Sequence, residues 1–365
     1  MNGSRQSTVD SRQLAVVAMS GGVDSSVAAA LVADEMGPDN TAGIALRLYS
    51  VADDVRRSGR SCCAPDDLYD ARRAAAALGI RFYVHDARER FQSAVIDDFV
   101  SSYAAGRTPN PCVRCNDEVK FDWLLERTRM LGADLLATGH YARVERRDGR
   151  YCLLRARDAA KDQSYFLHGL TQPELARVRF PLGELTKPEV RAIARRRGLP
   201  NADKPESMEV CFVGDEPLPA FLESHGVPKA RGEVVDVAGR VLGEHQGVHR
   251  FTVGQRRGLG VPHALPLYVS EIDAPRQRVV VGTLDQVGRA SFEGAGARWV
   301  FAPPVPGTRC SVQIRHRGRP LPAEIEPDGD RVAVRLLEPA AGVAPGQSAV
   351  FYDGDAMLGG ARIRS

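Results

Sequence analysis

The sequence predicts an α/β fold, in which a parallel sheet with helices on both faces precedes a small β-rich central domain and a C-terminal domain resembling a β-barrel. Three observations predict it. Short apolar runs alternate with helical patterns through the first 205 residues, which is typical of parallel strands joined by crossover helices. A glycine-rich turn follows the first apolar run. Beyond residue 205, valine-rich runs separated by Gly, Pro and Asp replace the helical periodicity.

The N-terminal elements follow from the apolar runs and their stop signals. We predict strands at 14–19, 43–48, 80–84 and 134–138, and helices at 23–36, 66–78, 89–105 and 117–131. Gly37 and Pro38 end the first of these helices, and Gly79 ends the second. Binding sites in open parallel sheets lie at the carboxyl ends of the strands. The turn after Met19 and the segment after Thr138 both fall at such ends.

The second half of the chain favours short strands. Valine-rich runs predict them at 232–237, 278–281, 310–314 and 331–336, with one short helical stretch near 218–224. The shifts in pattern indicate boundaries near residues 205 and 283. We therefore predict a catalytic domain over 1–205, a central domain over 206–282 and a C-terminal domain over 283–365.

Composition describes an ordinary globular protein. The 365 residues are 43% hydrophobic and 26% charged, and no apolar run approaches the roughly 18–20 residues that a membrane helix needs. The first dozen residues carry no apolar core of a secretory signal. Seven cysteines, an odd number, fit a reducing compartment, so we expect a cytoplasmic location and no membrane partner. The net charge of +3 permits nucleic-acid binding without arguing for it.

The segment Ser20-Gly21-Gly22-Val23-Asp24-Ser25 is the strongest single signal. Adjacent glycines let several backbone N–H groups converge on one anion, and the following helix adds its positive N-terminal end. The G-x-x-x-x-G-K pattern of a Walker loop is missing from the sequence. The segment resembles the PP-loop of ATP pyrophosphatases, which split ATP between its α and β phosphates. We expect ATP there, with Mg²⁺ near Asp24. A bare strand-to-helix turn with a serine cap is the plainer alternative.

Two cysteines stand in the segment Thr108-Pro109-Asn110-Pro111-Cys112-Val113-Arg114-Cys115. Its prolines predict a loop that ends at the helix over 117–131. A thiol just ahead of a helix N-terminus has a lowered pKa, which suits a nucleophile. The second cysteine pair of a zinc ribbon is missing. Taken alone, Cys211 is typical of a buried strand, and four further cysteines are interpreted as structural: Cys62, Cys63, Cys152 and Cys310.

Several segments, taken in order, resemble the bacterial-type tRNA-specific 2-thiouridylase family over nearly the whole chain. They are AMSGGVDS (18–25), CC (62–63) ahead of DAR (70–72), GRTPNP (106–111) through KF (120–121), ATGHYAR (137–143), KDQSYFL (161–167), GEHQG (243–247), TVGQRRGLG (252–260) and PGQSAV (345–350). One of these segments alone has little weight, but the set in this order is highly specific. The N-terminal sheet is accordingly expected to be of the adenine-nucleotide alpha-hydrolase-like, PP-loop type.

The resemblance implies a reaction on tRNA. The wobble uridine of certain tRNAs loses its C2 oxygen and gains sulfur, after ATP has adenylated that oxygen and made it a leaving group. A persulfide on one cysteine delivers the sulfur, and a second thiol releases it. By position, Cys211 resembles the persulfide carrier, and Cys115 resembles the nucleophile that resolves it as a disulfide.

The family's binding positions carry over residue by residue. ATP contacts are implied for Ala18, Met19, Ser20, Gly21, Gly22, Val23, Asp24, Ser25, Leu46 and Gly139. Contacts with tRNA or its target base are implied for Asn110, Pro111, Cys112, His140, Lys161, Asp162, Gln163, Arg315, His316 and Gln347. The target base must be flipped out of its stack to be reached. The resemblance also implies the tRNAs for Lys, Glu and Gln, and a sulfur carrier protein or cysteine desulfurase as persulfide donor.

Three places depart from the family pattern. Leu46 replaces a common methionine, residues 206–209 differ from the usual Ser-Gln-Asp, and Cys112 stands where some relatives have an aspartate that can act as a general acid or base. Cys112, Cys115 and Cys211 together leave open an iron–sulfur cluster with one open iron. A different PP-loop synthetase or amidotransferase is a second alternative, and a non-enzymatic RNA-binding module is a third.

Overall fold

A computed structural model describes residues 13–48, 65–205, 210–214 and 216–364. The strands are β1 (Ala15–Ala18), β2 (Thr41–Arg47), β3 (Arg81–Asp86), β4 (Leu135–Thr138), β5 (Arg143–Arg147), β6 (Arg150–Leu154), β7 (Val178–Arg179), β8 (Gly232–Asp236), β9 (Val241–His245), β10 (Tyr268–Asp273), β11 (Arg278–Gly282), β12 (Arg289–Trp299), β13 (Thr308–Gln313), β14 (Leu321–Asp328), β15 (Arg331–Ala340), β16 (Ser348–Asp353) and β17 (Ala356–Ile363).

The α-helices are α1 (Val23–Met36), α2 (Pro65–Ala77), α3 (Arg88–Phe91), α4 (Asp97–Ala104), α5 (Pro111–Arg114), α6 (Leu124–Met130), α7 (Gln172–Leu175), α8 (Lys187–Arg196), α9 (Leu218–Ser224) and α10 (Leu284–Val287). Two π-helical segments, Gln92–Ile96 and Cys115–Trp123, join α3 to α4 and α5 to α6. Short 3-10 turns cover Pro38–Asn40, Ser164–Leu167 and Val248–Arg250. Across the described ranges, none of the helices has the length and apolar character needed to cross a bilayer.

The N-terminal domain is built on one parallel sheet with the strand order β3-β2-β1-β4-β7. Side chains alternate between its faces: Val17 packs into a core with α1, α2 and α8, whereas Val16 packs with residues of α6 on the other side. The chain runs outward from β1 to β3 and then returns to the other side of β1 as β4. The loops after β1 and β4 therefore diverge and leave a crevice between them, where such folds bind ligands.

The helix that carries Cys112 and Cys115, here called the cysteine helix, begins earlier than the sequence predicts. We expected residues 108–116 to form a loop, but α5 starts at Pro111 and continues through the π-helical segment into α6. Proline is tolerated at the first helical position because its missing N–H would have no partner there. Asn110 caps this turn, since its Oδ1 accepts a hydrogen bond from the Val113 N–H at 3.3 Å.

The central and C-terminal domains are β-rich, as predicted. Strands β8 to β11 form a sheet in the order β10-β11-β8-β9. Strands β12 to β17 form an antiparallel barrel in the order β12-β15-β14-β13-β16-β17, which pairing between β12 and β17 closes. The β5–β6 hairpin, which follows β4 in the chain, extends the barrel sheet, because Leu154 pairs with Ala356 of β17. The domain boundaries near 205 and 283 stay predictions.

Candidate active site

The glycine loop connects β1 to α1 at the crevice of the sheet. The Met19 N–H donates to the Ile44 carbonyl at 2.8 Å, which anchors the start of the loop to β2. Gly21 has a φ of +79°, and a Cβ there would collide with the carbonyl oxygen of Asp67, so the position requires glycine. Gly22 precedes α1 and offers no side-chain cap. The first N–H groups of α1 are therefore available to an anion.

The two serines of the loop close it on itself. Ser25 Oγ accepts the Ser20 N–H at 3.1 Å and donates to the Gly22 carbonyl at 3.0 Å. The Oγ atoms of Ser20 and Ser25 lie 3.4 Å apart. These contacts hold the loop in its curved shape before any ligand arrives.

The end of β4 lies directly against this loop. A Cβ on Gly139 would lie 2.8 Å from Ser25 N and 2.9 Å from the carbonyl carbon of Asp24, so only a glycine permits this approach. The structure thus brings Gly139 together with the loop over 18–25, while Leu46 lies half-buried at the end of the neighbouring strand β2. The role of each residue in ATP binding stays a prediction.

Asp24 is held by two residues that the sequence analysis did not single out. Its carboxylate accepts hydrogen bonds from Lys187 Nζ at 2.6 and 2.8 Å and from the Tyr141 hydroxyl at 2.9 Å. Lys187 is buried at the first position of α8, whereas the Asp24 side chain is 33% exposed. The pattern around Lys187 signals only a helix start, since Thr186 and Glu189 form a capping box. Asp24, the partner of Lys187, lies 163 residues away in the sequence.

Cys115 and Cys211 contact the same apolar cluster. Both are half-buried and pack against an apolar cluster, here called the phenylalanine cluster, that is built around Phe91, Phe99, Phe212 and Phe221. Cys112, at the second position of α5, is exposed. No three His, Cys, Asp or Glu side chains converge into a metal-binding group within the described ranges. Cys62, Cys63 and residues 206–209 lie outside those ranges.

The barrel supports the segment that leads into the cysteine helix. Gln347 Nε2 donates to the carbonyl oxygens of Thr108 and Pro109, at 3.1 Å each. Gly346 packs so closely that a Cβ there would lie 2.8 Å from the Thr108 carbonyl oxygen. Tyr165, which the sequence analysis did not single out, donates its hydroxyl proton to the Ser348 carbonyl at 2.9 Å. Gln347, expected to contact tRNA, thus also positions the entry to the cysteine helix.

Among the other residues expected to contact tRNA, some make hydrogen bonds within the protein and others lie at its surface or beside an aromatic ring. Asp162 accepts hydrogen bonds from the Ala156 N–H at 3.0 Å and the Ser164 hydroxyl at 2.9 Å. Gln163 Oε1 accepts the Tyr141 N–H at 3.0 Å. Both side chains therefore order the strand-to-helix segment that presents Lys161. On the barrel, Arg315 is exposed, and the His316 ring lies 4.3 Å from that of Phe166.

His140 lies between the glycine loop and the cysteine helix. Its Nδ1 is 2.7 Å from Thr138 Oγ1, and its ring centre is 5.9 Å from that of Phe121. Burial, together with the nearby charge of Lys120, holds the pKa of His140 well below its usual value. The ring is therefore neutral at physiological pH and can donate or accept a hydrogen bond to a base without carrying charge.

Asp117 on the cysteine helix makes stability depend on pH. Burial raises its pKa from 3.8 to about 6, against the opposing charges of Arg298 and Arg114. The folded protein then binds this proton more tightly than the unfolded chain, so stability falls as pH rises from 3.8 through about 6. We expect Asp117→Asn to raise the free energy of unfolding by about 2–3 kcal/mol at pH 8 and hardly at all near pH 4.

Denaturant unfolding at both pH values measures this effect. Asp122→Asn is the matched control on the same helix, because its exposed ion pair with Arg90 is worth less than about 1 kcal/mol. An equal gain for Asp117→Asn at pH 4 and pH 8 would contradict the burial penalty.

The parallel sheet with an anion-binding glycine loop at its crevice defines the class of protein, a nucleotide-dependent enzyme of the HUP type. A family model described as the tRNA methyl transferase HUP domain matches residues 13–215. The tRNA methyl transferase PRC-barrel domain matches residues 219–283, and the aminomethyltransferase beta-barrel domain matches residues 290–363.

Curated relatives are similar over almost the whole length of the chain. The tRNA-specific 2-thiouridylase MnmA of Geobacter metallireducens is 51% identical over 362 residues, which covers 98% of both chains. That of Geotalea uraniireducens is 49% identical over 358 residues, which covers 96% of this chain and 95% of the relative. The chain belongs to the tRNA-specific 2-thiouridylase family, as its motifs indicated.

A likeness among solved structures is much weaker. The U34-tRNA thiolase NcsA from Methanococcus maripaludis with its 4Fe-4S cluster matches with a TM-score of 0.35 and 17% identity, and the match covers 59% of this chain and 64% of that chain. A match at this level carries no argument about the chemistry of the present chain.

Proposed function

We propose that this chain catalyses the ATP-dependent 2-thiolation of the wobble uridine in tRNA, by adenylation of the C2 oxygen and sulfur transfer from a cysteine persulfide. The observation that carries the proposal is the arrangement of one site: a phosphate-binding glycine loop meets β4 at Gly139, and the next residue, His140, contacts the helix of Cys115. Cys211 packs against the same phenylalanine cluster as Cys115. This arrangement supports ATP chemistry and thiol chemistry in neighbouring parts of the catalytic domain.

ATP is the first substrate. The loop over 18–25 and the N-terminus of α1 would hold its phosphates, so that the C2 oxygen of uridine attacks the α phosphorus and pyrophosphate leaves. Mg²⁺ commonly binds through substrate phosphates and one or two carboxylates. Asp24 fits that role, since its carboxylate lies in the first turn of α1 and is partly exposed. Lys187 holds the carboxylate in place.

Sulfur transfer follows adenylation. The terminal sulfur of a Cys211 persulfide attacks C2 and displaces AMP, which leaves the base joined to Cys211 through a disulfide. The Cys115 thiolate then attacks Cys211 Sγ, and the two electrons of the broken S–S bond remain on the sulfur at C2. The products are 2-thiouridine and a Cys115–Cys211 disulfide, which a thiol reductant reopens for the next cycle.

Mass spectrometry of nucleosides tests the whole assignment. We expect 2-thiouridine from tRNA incubated with the protein, ATP and a persulfide donor, with AMP and pyrophosphate as co-products. Cleavage of ATP on a small carboxylate, with no 2-thiouridine, would favour a different PP-loop synthetase or amidotransferase. Binding of tRNA that is indifferent to loss of Ser20, Asp24, Cys115 or Cys211, with no thiolation, would favour an RNA-binding module.

We expect a Cys115–Cys211 disulfide after one turnover without reductant. The shared contact of both cysteines with the phenylalanine cluster supports this pairing. Peptide mapping by mass spectrometry without prior reduction measures it, with protein incubated without ATP as the control. A Cys112–Cys211 pair in its place would show that the nucleophile is misassigned.

The persulfide route is favoured over an iron–sulfur cluster on Cys112, Cys115 and Cys211. Cys112 is exposed, whereas the other two thiols are half-buried against the phenylalanine cluster, which supports a shared role for Cys115 and Cys211 that Cys112 does not have. Iron and acid-labile sulfide analysis after anaerobic purification tests this. Metal-free protein that still transfers persulfide sulfur would eliminate the cluster.

The proposed function also specifies which tRNAs are substrates, where the sulfur comes from and where the reaction takes place. The substrates are the tRNAs for Lys, Glu and Gln, the sulfur comes from a carrier protein or a cysteine desulfurase, and the reaction takes place in the cytoplasm. The exposed Arg315 and the half-buried Lys161 support contact with the RNA backbone. Comparing thiolation of individually transcribed tRNAs tests the substrate set; equal thiolation of tRNAs that lack a wobble uridine would contradict it.

A further inference from the structure

We propose that Asn201 is a positioning residue of the ATP site, which orients the peptide between Gly21 and Gly22 so that the Gly22 N–H faces the phosphates. The inference rests on the proposed use of ATP by this site. It adds a residue from the far end of the catalytic domain, 180 positions along the chain from the loop.

Asn201 is 3% exposed and lies in the segment after α8. Its Nδ2 donates to the Gly21 carbonyl oxygen and to Ser26 Oγ, at 2.9 Å each. A carbonyl oxygen only accepts, so the amide must turn its NH₂ group toward the loop. Its Oδ1 is buried without a hydrogen-bond partner in the described part of the chain. The side chain therefore serves the loop with its donors alone.

The geometry of the peptide bond converts this contact into an orientation. In a planar trans peptide, the C=O of one residue and the N–H of the next point in opposite directions. Because Asn201 holds the Gly21 carbonyl oxygen, the N–H of Gly22 in the same peptide is turned away from Asn201. Gly21 has a positive φ and could adopt many other conformations, so an external contact is needed to select this one.

The same stretch of chain secures the surroundings of the loop. Lys187 binds Asp24 just after the two glycines. Lys204 pairs with Asp67, whose carbonyl borders Gly21, and with Asp70 at 2.6 Å. Asn201 lies between these two lysines in sequence and contacts the loop itself.

Binding of ATP and of adenosine to the purified full-length chain tests the proposal. We expect Asn201→Ala to weaken ATP binding by about 10- to 100-fold, since it misdirects a donor to a charged group, while adenosine binding changes less than twofold. Asn201→Asp should act in the same way, because it keeps the shape and fills the space but faces the Gly21 carbonyl with an acceptor.

Asn40→Ala is the matched control, because Asn40 Nδ2 donates to the Met36 carbonyl at the opposite end of α1. It should lower the melting temperature without changing the affinity for ATP. Unchanged ATP affinity in both Asn201 variants would overturn the inference, as would an equal loss for ATP and adenosine. A wild-type chain that binds no ATP would instead overturn the proposed function.

Discussion

We expect Cys211→Ser to abolish formation of 2-thiouridine, by at least ~1,000-fold, and to leave tRNA affinity within about twofold. A serine hydroxyl cannot carry a persulfide, but it has nearly the shape of the thiol, so the packing of the half-buried side chain against the phenylalanine cluster is kept. Nucleoside mass spectrometry measures the first quantity, and filter binding of labelled tRNA measures the second.

Cys310→Ser is the control for this variant. Cys310 is also half-buried, but it lies in the barrel, where burial raises the pKa of its thiol to about 12 and keeps it protonated. The Cys310→Ser variant should thiolate tRNA at the wild-type rate. Loss of tRNA binding in Cys211→Ser would indicate a structural cysteine and would contradict the role of carrier.

Cys115→Ser should stop the reaction at a later step than Cys211→Ser does. Sulfur should still reach C2 in this variant, but the thiol expected to resolve the bond to Cys211 is missing. A covalent complex of tRNA and protein should then accumulate and dissociate on addition of a thiol. Absence of that complex, together with normal AMP release, would show that Cys115 does not act after Cys211.

We expect Lys187→Met to lower the rate of adenylation by ~100-fold or more and to destabilise the protein. Removing one partner of a buried ion pair costs ~3–5 kcal/mol, and the partial exposure of Asp24 reduces this to about 1–3 kcal/mol. Methionine keeps the length and the apolar contacts of the lysine stem. Release of pyrophosphate measures the rate, and denaturant unfolding measures the stability.

The double variant Asp24→Asn with Lys187→Met separates the two effects. It leaves no charge without a partner, so the free energy of unfolding should recover while the adenylation rate stays low. Lys229→Met is the control, because Lys229 is 64% exposed and its partner Glu223 keeps Arg250, so stability should change by less than about 1 kcal/mol. Recovery of the rate in the double variant would contradict the proposed roles of both Asp24 and Lys187 in adenylation.

Local signals were enough for the first helix, whereas the predicted helix over 89–105 is interrupted by the π-helical segment Gln92–Ile96. The helix over 23–36 was predicted with its observed bounds, because glycines stand just outside both of its ends. The start of the cysteine helix was predicted wrongly, because proline excludes a helix interior but not its first position, and Asn110 supplies the cap. The π-helical segment Cys115–Trp123 carries no local signal, since its extra turn width is set by packing.

Contacts between distant segments account for what the sequence could not predict. The glycine loop identifies a phosphate site by itself, but nothing near Lys187 or Asn201 in sequence points to that loop. Likewise, the sequence analysis did not predict β5 and β6, and β6 pairs with β17 about two hundred positions further along the chain. The cysteine roles came from resemblance, and the fold adds that Cys115 and Cys211 share one cluster.

The β5–β6 hairpin belongs to the catalytic segment by sequence and to the barrel by hydrogen bonding. Gln347 makes a second connection in the opposite direction, from the barrel to Thr108 and Pro109. The two parts are thus interlocked, and the barrel is no exchangeable module. A chimera that takes its barrel from a relative must also take residues 143–154 and 108–109, or it would inherit a barrel matched to another protein's cysteine helix.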